Sequence, residues 1–340
     1  MANLPPPKER LLELIRKFRG CPVAVYGDLV ADEFVYGEIS RISREAPVLI
    51  LKHKESRIVP GCAANAINNL HALGATPIPV GILGADEAGK ELRKQLRVSK
   101  IPLSLVRHIK GYQTPTKTRF AAGSVHSSRQ QVLRIDRETL FRHTFEGESA
   151  IWAHLEKLLK QCRGIIISDY GFGFVTPEIV RRIAAKRNSL PVTLDSRFDL
   201  LKYRGLTAST PNEPEVEEAL GIKIGNDIAK LENAGKLLLK RLGLEAVLIT
   251  RGRDGMTLFV SRQKPIHIPI FGTDEIADVT GAGDTVIAVF TLALACGGSF
   301  LEAARLSNYA GGIVVMKRGT ATVSAQELQE AVLLEGGSDR

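Results

Sequence analysis

Asp278-Val279-Thr280-Gly281-Ala282-Gly283-Asp284 runs straight into an apolar helical pattern at 285–294. Three small residues ahead of a helix let successive backbone N–H groups turn into one concavity at its positive end, where a phosphoryl group's negative charge is stabilised. Asp284, in the first turn, places a carboxylate at the same spot, where it can take the proton of an attacking hydroxyl. A lone G-x-G-D is equally well explained by a turn and a helix cap. The complete D-x-T-G-A-G-D string is far more specific.

Working outward, strand-like runs at 22–26, 76–83, 164–168, 191–194, 246–250 and 257–260 alternate with helical patterns at 63–73, 151–160, 177–186, 214–220 and 228–242. This alternation predicts an α/β fold, a three-layer αβα core with a mostly parallel central sheet covered by helices. Asp28, Asp169, Asp195 and Arg251 each follow a strand directly, and such positions meet at the carboxyl edge of an open α/β sheet, where ligands bind. Two stretches break the alternation. Residues 33–59 and 103–135 carry alternating β-branched and apolar residues, as in Thr116-Lys-Thr-Arg119 and Gln131-Val-Leu-Arg-Ile135, with no long helical pattern. They predict a small, discontinuous β lid, leaving 1–32, 60–102 and 136–340 as the core.

Composition narrows the function. With 340 residues, 44% of them hydrophobic, the chain is neither disordered nor fibrous and has the length for one large core with an appendage. Cys21, Cys62, Cys162 and Cys296 stand far apart, which predicts reduced thiols rather than a zinc site or a disulfide framework. The longest apolar stretch, 286–296, falls well short of the ~18 residues of a membrane span, so a cytoplasmic protein without a membrane partner is expected. A net charge of +9 would suit nucleic acid, but the basic residues are interspersed with acidic ones and aromatics make up only 6%. An anionic small molecule is the expected partner, and no nucleic acid. Gly84-Ala-Asp-Glu-Ala-Gly-Lys90 has the spacing of a P-loop, yet Glu91 follows where that motif needs a hydroxyl for Mg²⁺. Neither Gly171-Phe-Gly173 nor Gly281-Ala-Gly283 has the third glycine of a dinucleotide fingerprint.

The D-x-T-G-A-G-D string, with the glycine signature Pro60-Gly-Cys-Ala-Ala-Asn65, resembles the PfkB (ribokinase-like) carbohydrate kinases over nearly all of the chain. Within that family the chain is similar to the heptose 7-phosphate kinases of lipopolysaccharide-core synthesis, through Gly27-Asp-Leu-Val-Ala-Asp32, Arg129-Gln-Gln131, Ser168-Asp-Tyr170, Thr210-Pro-Asn212 and Gly319-Thr-Ala-Thr-Val-Ser324. The resemblance implies a ribokinase-like fold and ATP-dependent phosphorylation of a sugar. It makes Asp284 the catalytic base and Gly281, Ala282 and Gly283 the anion hole, and it sets Asp32 on substrate hydroxyls with Gly61 and Asn65 nearby. Asn212 and Glu215 match an N-x-x-E motif that organises Mg²⁺ and phosphate through water. Thr250, Arg251 and Gly255 follow the strand that meets the nucleotide phosphates, and Asn308 and Gly319 lie where the family binds adenine and ribose. A monovalent cation is a further candidate cofactor.

A substrate that already carries a phosphate needs a cationic clamp, and Lys117, Arg119, Arg129 and Arg134 are candidates for it. The same residues also suit a solvated basic edge of the lid, which discourages aggregation. The chain departs from the heptose kinases at Cys62, where they have Gly, at Phe172, where they have Lys, and at Asp195-Ser-Arg197, where they have D-P-K. Those departures leave open another sugar or sugar phosphate, of fructokinase or ribokinase type, and also a catalytically silent sugar-phosphate sensor on the same fold. Lid strands of such kinases pair, so a homodimer is expected. The bifunctional members add a C-terminal nucleotidyltransferase domain. A chain ending at Arg340 leaves no room for it, and a separate enzyme is expected to supply that step.

Overall fold

The computed structural model describes residues 6–123, 130–272, 278–317 and 319–334. Helix α1 (Lys8–Lys17) buries Leu11, Leu14 and Ile15 on one face and leads into β1 (Pro22–Gly27). Period-two alternation then divides β1 between two cores: Val23 and Val25 point into one, Ala24 and Tyr26 into the other. Next, β2 (Leu29–Ile42) and β3 (Leu49–Cys62) pair antiparallel as a long ribbon, and α2 (Ala63–Ala72) returns the chain to the core. Strand β4 (Thr76–Gly84), α3 (Glu87–Val98) and β5 (Val106–Ile109) extend the main sheet, whereas β6 (Thr116–Gly123) and β7 (Gln130–Arg137) join β2 and β3.

The second half runs α4 (Phe145–Gln161), β8 (Gly164–Asp169), α5 (Pro177–Lys186), β9 (Val192–Ser196), β10 (Ala208–Ser209), α6 (Glu213–Leu220), α7 (Ile228–Leu242) and β11 (Ala246–Thr250). Two short strands, β12 (Met256–Val260) and β13 (Ile266–Ile268), precede three closing helices, α8 (Ala282–Ala295), α9 (Phe300–Val315) and α10 (Ala325–Leu334). The main sheet has nine strands in the order β13-β12-β11-β10-β9-β8-β1-β4-β5. It is parallel from β11 to β5, and β12 and β13 add to one edge antiparallel. One apolar core lies between it and α1, α2, α3, α8, α9 and α10, the other between it and α4, α5, α6 and α7. The expected three-layer arrangement is thus the observed one. The small sheet, in the order β3-β2-β6-β7, is antiparallel except for the parallel β2/β6 pair.

Two details differ from the sequence pattern. Residues 106–109, expected in the lid, pair instead with β4 at the edge of the main sheet, with Val106 buried. Alternation identifies a strand but not its partner, because pairing is decided by contacts distant in sequence. Helix α4 starts at Phe145 rather than near 151, behind Thr144, whose hydroxyl accepts the Gly147 N–H at 3.1 Å. Its first turn is a solvent-facing cap with Phe145 exposed, so no apolar stripe marks it. The 84–90 segment is structural: Asp86 caps α3 and accepts the Thr114 N–H at 3.1 Å and hydroxyl at 2.8 Å. Among the described residues no helix is long and apolar enough to cross a membrane.

Candidate active site

Parallel register brings Gly27, Ser168 and Asp195 into one row at the carboxyl edge of β1, β8 and β9. Facing that edge is the start of α8. Gly281 is its N-cap at φ +78°, where a Cβ would lie 2.5 Å from Asn65 Nδ2, so both the turn and the neighbour require glycine. Ala282 turns its N–H back to the Val279 carbonyl at 3.2 Å. In the first helical turn, Gly283 and Asp284 have no intrahelical acceptor behind their N–H groups. Asp284 is only 4% exposed. Asn65 Nδ2 donates to its Oδ2 at 2.9 Å and to the Gly281 carbonyl at 3.2 Å, and the Tyr170 hydroxyl donates to its Oδ1 at 3.0 Å. Burial pushes the Asp284 carboxyl up to about 7 against those two hydrogen bonds; the Asp32 charge adds to the rise and the Lys117 charge opposes it.

The small sheet supplies the opposite wall. Asp32 on β2 is in register with Val59 of β3 and Lys117 of β6, and its carboxylate lies over Gly61, where a Cβ would come within 2.5 Å of Oδ2. Arg119 Nη1 donates to Asp32 Oδ1 at 2.6 Å and the Thr320 hydroxyl to Oδ2 at 3.3 Å. Lys117 reaches inward, 3.6 Å from the Cys62 sulfur and 4.8 Å from the centre of the Tyr170 ring. Burial draws its ammonium down, but Cys62, Asp32 and Asp284 outweigh that and hold it above the usual lysine range. Cys62 adopts φ +53°, an unusual conformation for a residue with a side chain, and costs about 1–3 kcal/mol of backbone strain. Its thiol, pushed up by burial, packs with Val30 and Phe172 against Tyr170. Phe172 thus fills an apolar wall at the point where the sequence comparison marks a missing cation.

The three described clamp candidates, Lys117, Arg119 and Arg134, do not converge on one point. Lys117 and Arg119 enter the site as described. Arg134 is half-exposed on β7 and pairs with Asp136 at 2.9 Å. Arg129 lies outside the described residues. Register reveals a different grouping, with Arg57 of β3, Phe34 of β2, Arg119 and Arg134 directly opposite one another in a single cross-strand row. The Arg119 guanidinium stands 5.4 Å from the Phe34 ring centre. Neither Arg57 nor Phe34 is a site candidate in the sequence reading, because only strand pairing reveals the row.

Asn212 caps α6. Its Oδ1 accepts the Glu215 N–H at 2.9 Å, and Glu215 Oε2 accepts the Asn212 N–H at 2.9 Å, so the N-x-x-E motif is also a capping box. Glu215 is buried, which raises its carboxyl against those bonds, and Arg197 Nη1 donates to its Oε1 at 2.9 Å. Asp195, also buried, is pushed well above the carboxylate range by burial and by the charges of Glu215 and Asp284. Arg251 is committed to Glu213 at 2.8 Å and is nearly buried, so its side chain ties α6 to β11 rather than reaching into the cleft. Thr250 bridges to Asn212, and Gly255 forms the tight turn into β12. Asn308 donates to the Pro269 carbonyl at 2.8 Å. Gly319 donates its N–H to Asp278 Oδ2 at 3.0 Å, while Asp278 Oδ1 takes the Thr280 N–H at 2.9 Å, tying the 319–320 turn to the loop before α8. Among the described residues no group of three or more His, Cys, Asp and Glu side chains is gathered to hold a metal.

Residues 23–327 match the family model described as pfkB family carbohydrate kinase. Proteins named bifunctional protein HldE are similar over most of the chain. The one from Desulfatibacillum aliphaticivorans is 40% identical over 315 residues, 92% of this chain and 63% of its own. Those from Caulobacter vibrioides and Pseudomonas aeruginosa are also 40% identical, covering 94% and 95% of this chain and 65% and 66% of their own. The chain therefore spans just under two thirds of the length of these relatives. Arabidopsis thaliana ribokinase, solved with ribose and ATP, superposes with a TM-score of 0.70 at 20% identity over 92% of this chain and 99% of that one. Escherichia coli phosphofructokinase-2, solved with substrates and products, gives 0.73 at 16% identity, over 92% and 98%. At those identities the likeness is one of fold.

A carboxyl whose folded pKa is raised contributes stability that is complete below its unfolded pKa and lost as pH rises through its folded pKa. For Asp284 that window runs from 3.8 to about 7. Asp284→Asn is therefore expected to be more stable than the parent at pH 8, by up to about 4 kcal/mol, with the gap closing below about pH 4. Urea unfolding at the two pH values measures it, and equal stabilities at pH 8 would contradict the raised pKa.

Proposed function

The chain belongs to the pfkB family of carbohydrate kinases, and from that premise we propose that it transfers the γ-phosphoryl group of ATP to the anomeric hydroxyl of D-glycero-β-D-manno-heptose 7-phosphate. The observation that carries this reading is the Asp284 carboxylate, buried at the start of α8 and facing Asp32 and Lys117 of the small sheet. Asp32, held by Arg119, accepts hydrogen bonds from sugar hydroxyls and orients the acceptor. Asp284 takes the hydroxyl proton as the O–P bond forms. First-turn N–H groups of α8 and the Lys117 ammonium stabilise charge on the transferred group, which in phosphoryl transfer is most of the catalytic work. The small sheet acts as a lid that keeps water from the phosphoryl group. Glu215 retains a free lone pair on each oxygen, a donor set that suits a hydrated Mg²⁺ arriving with ATP. When bound, that metal supplies neutralisation of phosphate charge. Escherichia coli phosphofructokinase-2 has been solved with potassium, which adds a monovalent cation to the reading.

The arginine row supports a site for the sugar's own phosphate. Two residues along a strand span roughly 6.6 Å, so Arg57, Arg119 and Arg134 stand one pleat beyond Asp32 and Lys117, at the far end of a sugar whose anomeric carbon faces Asp284. The apolar cluster of Cys62 and Phe172 favours a second reading, a pfkB kinase for another phosphosugar, because it reshapes the wall beside the acceptor. The outward face of the small sheet supports a homodimer through the lid: Val35, Phe120 and Leu133 lie opposite one another, with Leu133 and Ile135 more than half exposed. Its place of action is the cytoplasm, where ATP is supplied.

Coupled ADP release should show kcat/KM for the heptose 7-phosphate at least about 100-fold above fructose phosphates, ribose and adenosine, with Arg57→Glu and Arg134→Glu each raising the phosphosugar KM roughly tenfold or more. Turnover with another acceptor and none with the heptose would replace the first reading by the second. Light scattering should report twice the 37.0 kDa chain mass, and Leu133→Lys with Ile135→Lys should return it to one chain. A monomeric parent at micromolar concentration would contradict the dimer.

A further inference from the structure

Tyr170 is named in the sequence reading only as part of a motif, yet its hydroxyl lies between two carboxylates, 3.0 Å from Asp284 Oδ1 and 3.2 Å from Asp195 Oδ2. We propose that Tyr170 is a positioning residue for phosphoryl transfer, its hydroxyl fixing the Asp284 carboxylate in the orientation that receives the sugar proton. This rests on the kinase reading of Asp284.

Three independent contacts hold the tyrosine itself. Asp28 Oδ2 accepts the backbone N–H of Tyr170 at 2.8 Å and of Phe172 at 3.3 Å, which pins the loop after β8. Cys62, Phe172 and Val30 pack against Tyr170. The Lys117 ammonium lies over its ring, so the small sheet touches the same side chain that touches the base. On Asp284, Asn65 holds Oδ2 and Tyr170 holds Oδ1. Two donors on two oxygens define the carboxylate plane, whereas one donor leaves it free to pivot. A phenol has a single proton, so while it donates to Asp284 its contact with Asp195 is made only when Asp195 brings a proton of its own. The arrangement therefore points the tyrosine's one donor at the base.

The charged and titratable groups facing Asp284 are Asp32 and Lys117 from the small sheet, Cys62 at the head of α2, Asp195 at the end of β9, and Tyr170. Tyr170→Phe leaves the others in place and removes one donor from the carboxylate, which favours its protonated form. Tyr170→Phe should lower kcat about 10- to 100-fold with both KM values within about threefold, the loss expected when a reacting group is misplaced, and should move the acid limb of kcat/KM to higher pH. Placing 3-fluorotyrosine at position 170 keeps the shape but strengthens the donor, and should move that limb to lower pH. A purely structural tyrosine would shift neither limb. If Tyr170→Phe does not fold, the fluorotyrosine protein decides alone. Wild-type kcat and an unmoved pH profile in both, in an enzyme that Asp284→Asn inactivates, would overturn the proposal and leave the kinase reading standing. Full activity in Asp284→Asn would instead remove the base assignment, and the role of Tyr170 with it.

Discussion

Asp284 is buried at the N-terminus of α8, and an ionised carboxylate there has to be solvated by protein groups in place of water. Each neighbour follows from that demand. Asn65 comes from α2, and its own Oδ1 is held by Asn69 at 3.2 Å. Tyr170 comes from the loop that Asp28 pins to β1. The helix start adds its positive field. These donors are neutral, and a cation that acts on Asp284, Lys117, comes from the small sheet. The ionisation of a core residue thus depends on the register of β2 and β6, which sets Lys117 beside Asp32. Gly61 leaves room for the Asp32 carboxylate, which a side chain there would displace.

Much of this was legible in the sequence because it is local. The D-x-T-G-A-G-D string marks both a helix start and a cluster of N–H groups, and the alternation around β1, β8 and β11 marks strands buried on both faces. What stayed hidden depends on pairing between distant segments. Nothing in residues 106–109 says that they join β4 rather than β6. The row of Arg57, Phe34, Arg119 and Arg134 comes from strands far apart in the chain, so a list of basic residues in one insertion groups Lys117 with Arg134 and omits Arg57. The family resemblance sets Arg251 near the nucleotide phosphates, but its partner, Glu213, is visible only once α6 packs beside β11.

The departures from the heptose kinase pattern form two local arrangements. Cys62 and Phe172 touch each other, so a strained thiol and a buried ring make one apolar wall beside Tyr170. Burial pushes that thiol up, and the Lys117 ammonium 3.6 Å away pulls it the other way. Arg197 is separate, half-exposed and bound to Glu215, where it keeps a cation beside that carboxylate. In the proposed reaction, the first arrangement bears on which acceptor fits, the second on how phosphate charge is met. Neither removes a group that contacts Asp284.

As the proposed base, Asp284 has an ionisation set by its burial. The pH dependence of kcat/KM for the phosphosugar tests it most directly, since that quantity reports the free enzyme. With the carboxyl raised to about 7, the rate should be level above that value and fall tenfold per pH unit below it. A profile that stays flat down to about pH 5, the range of an ordinary carboxylate, would contradict the account.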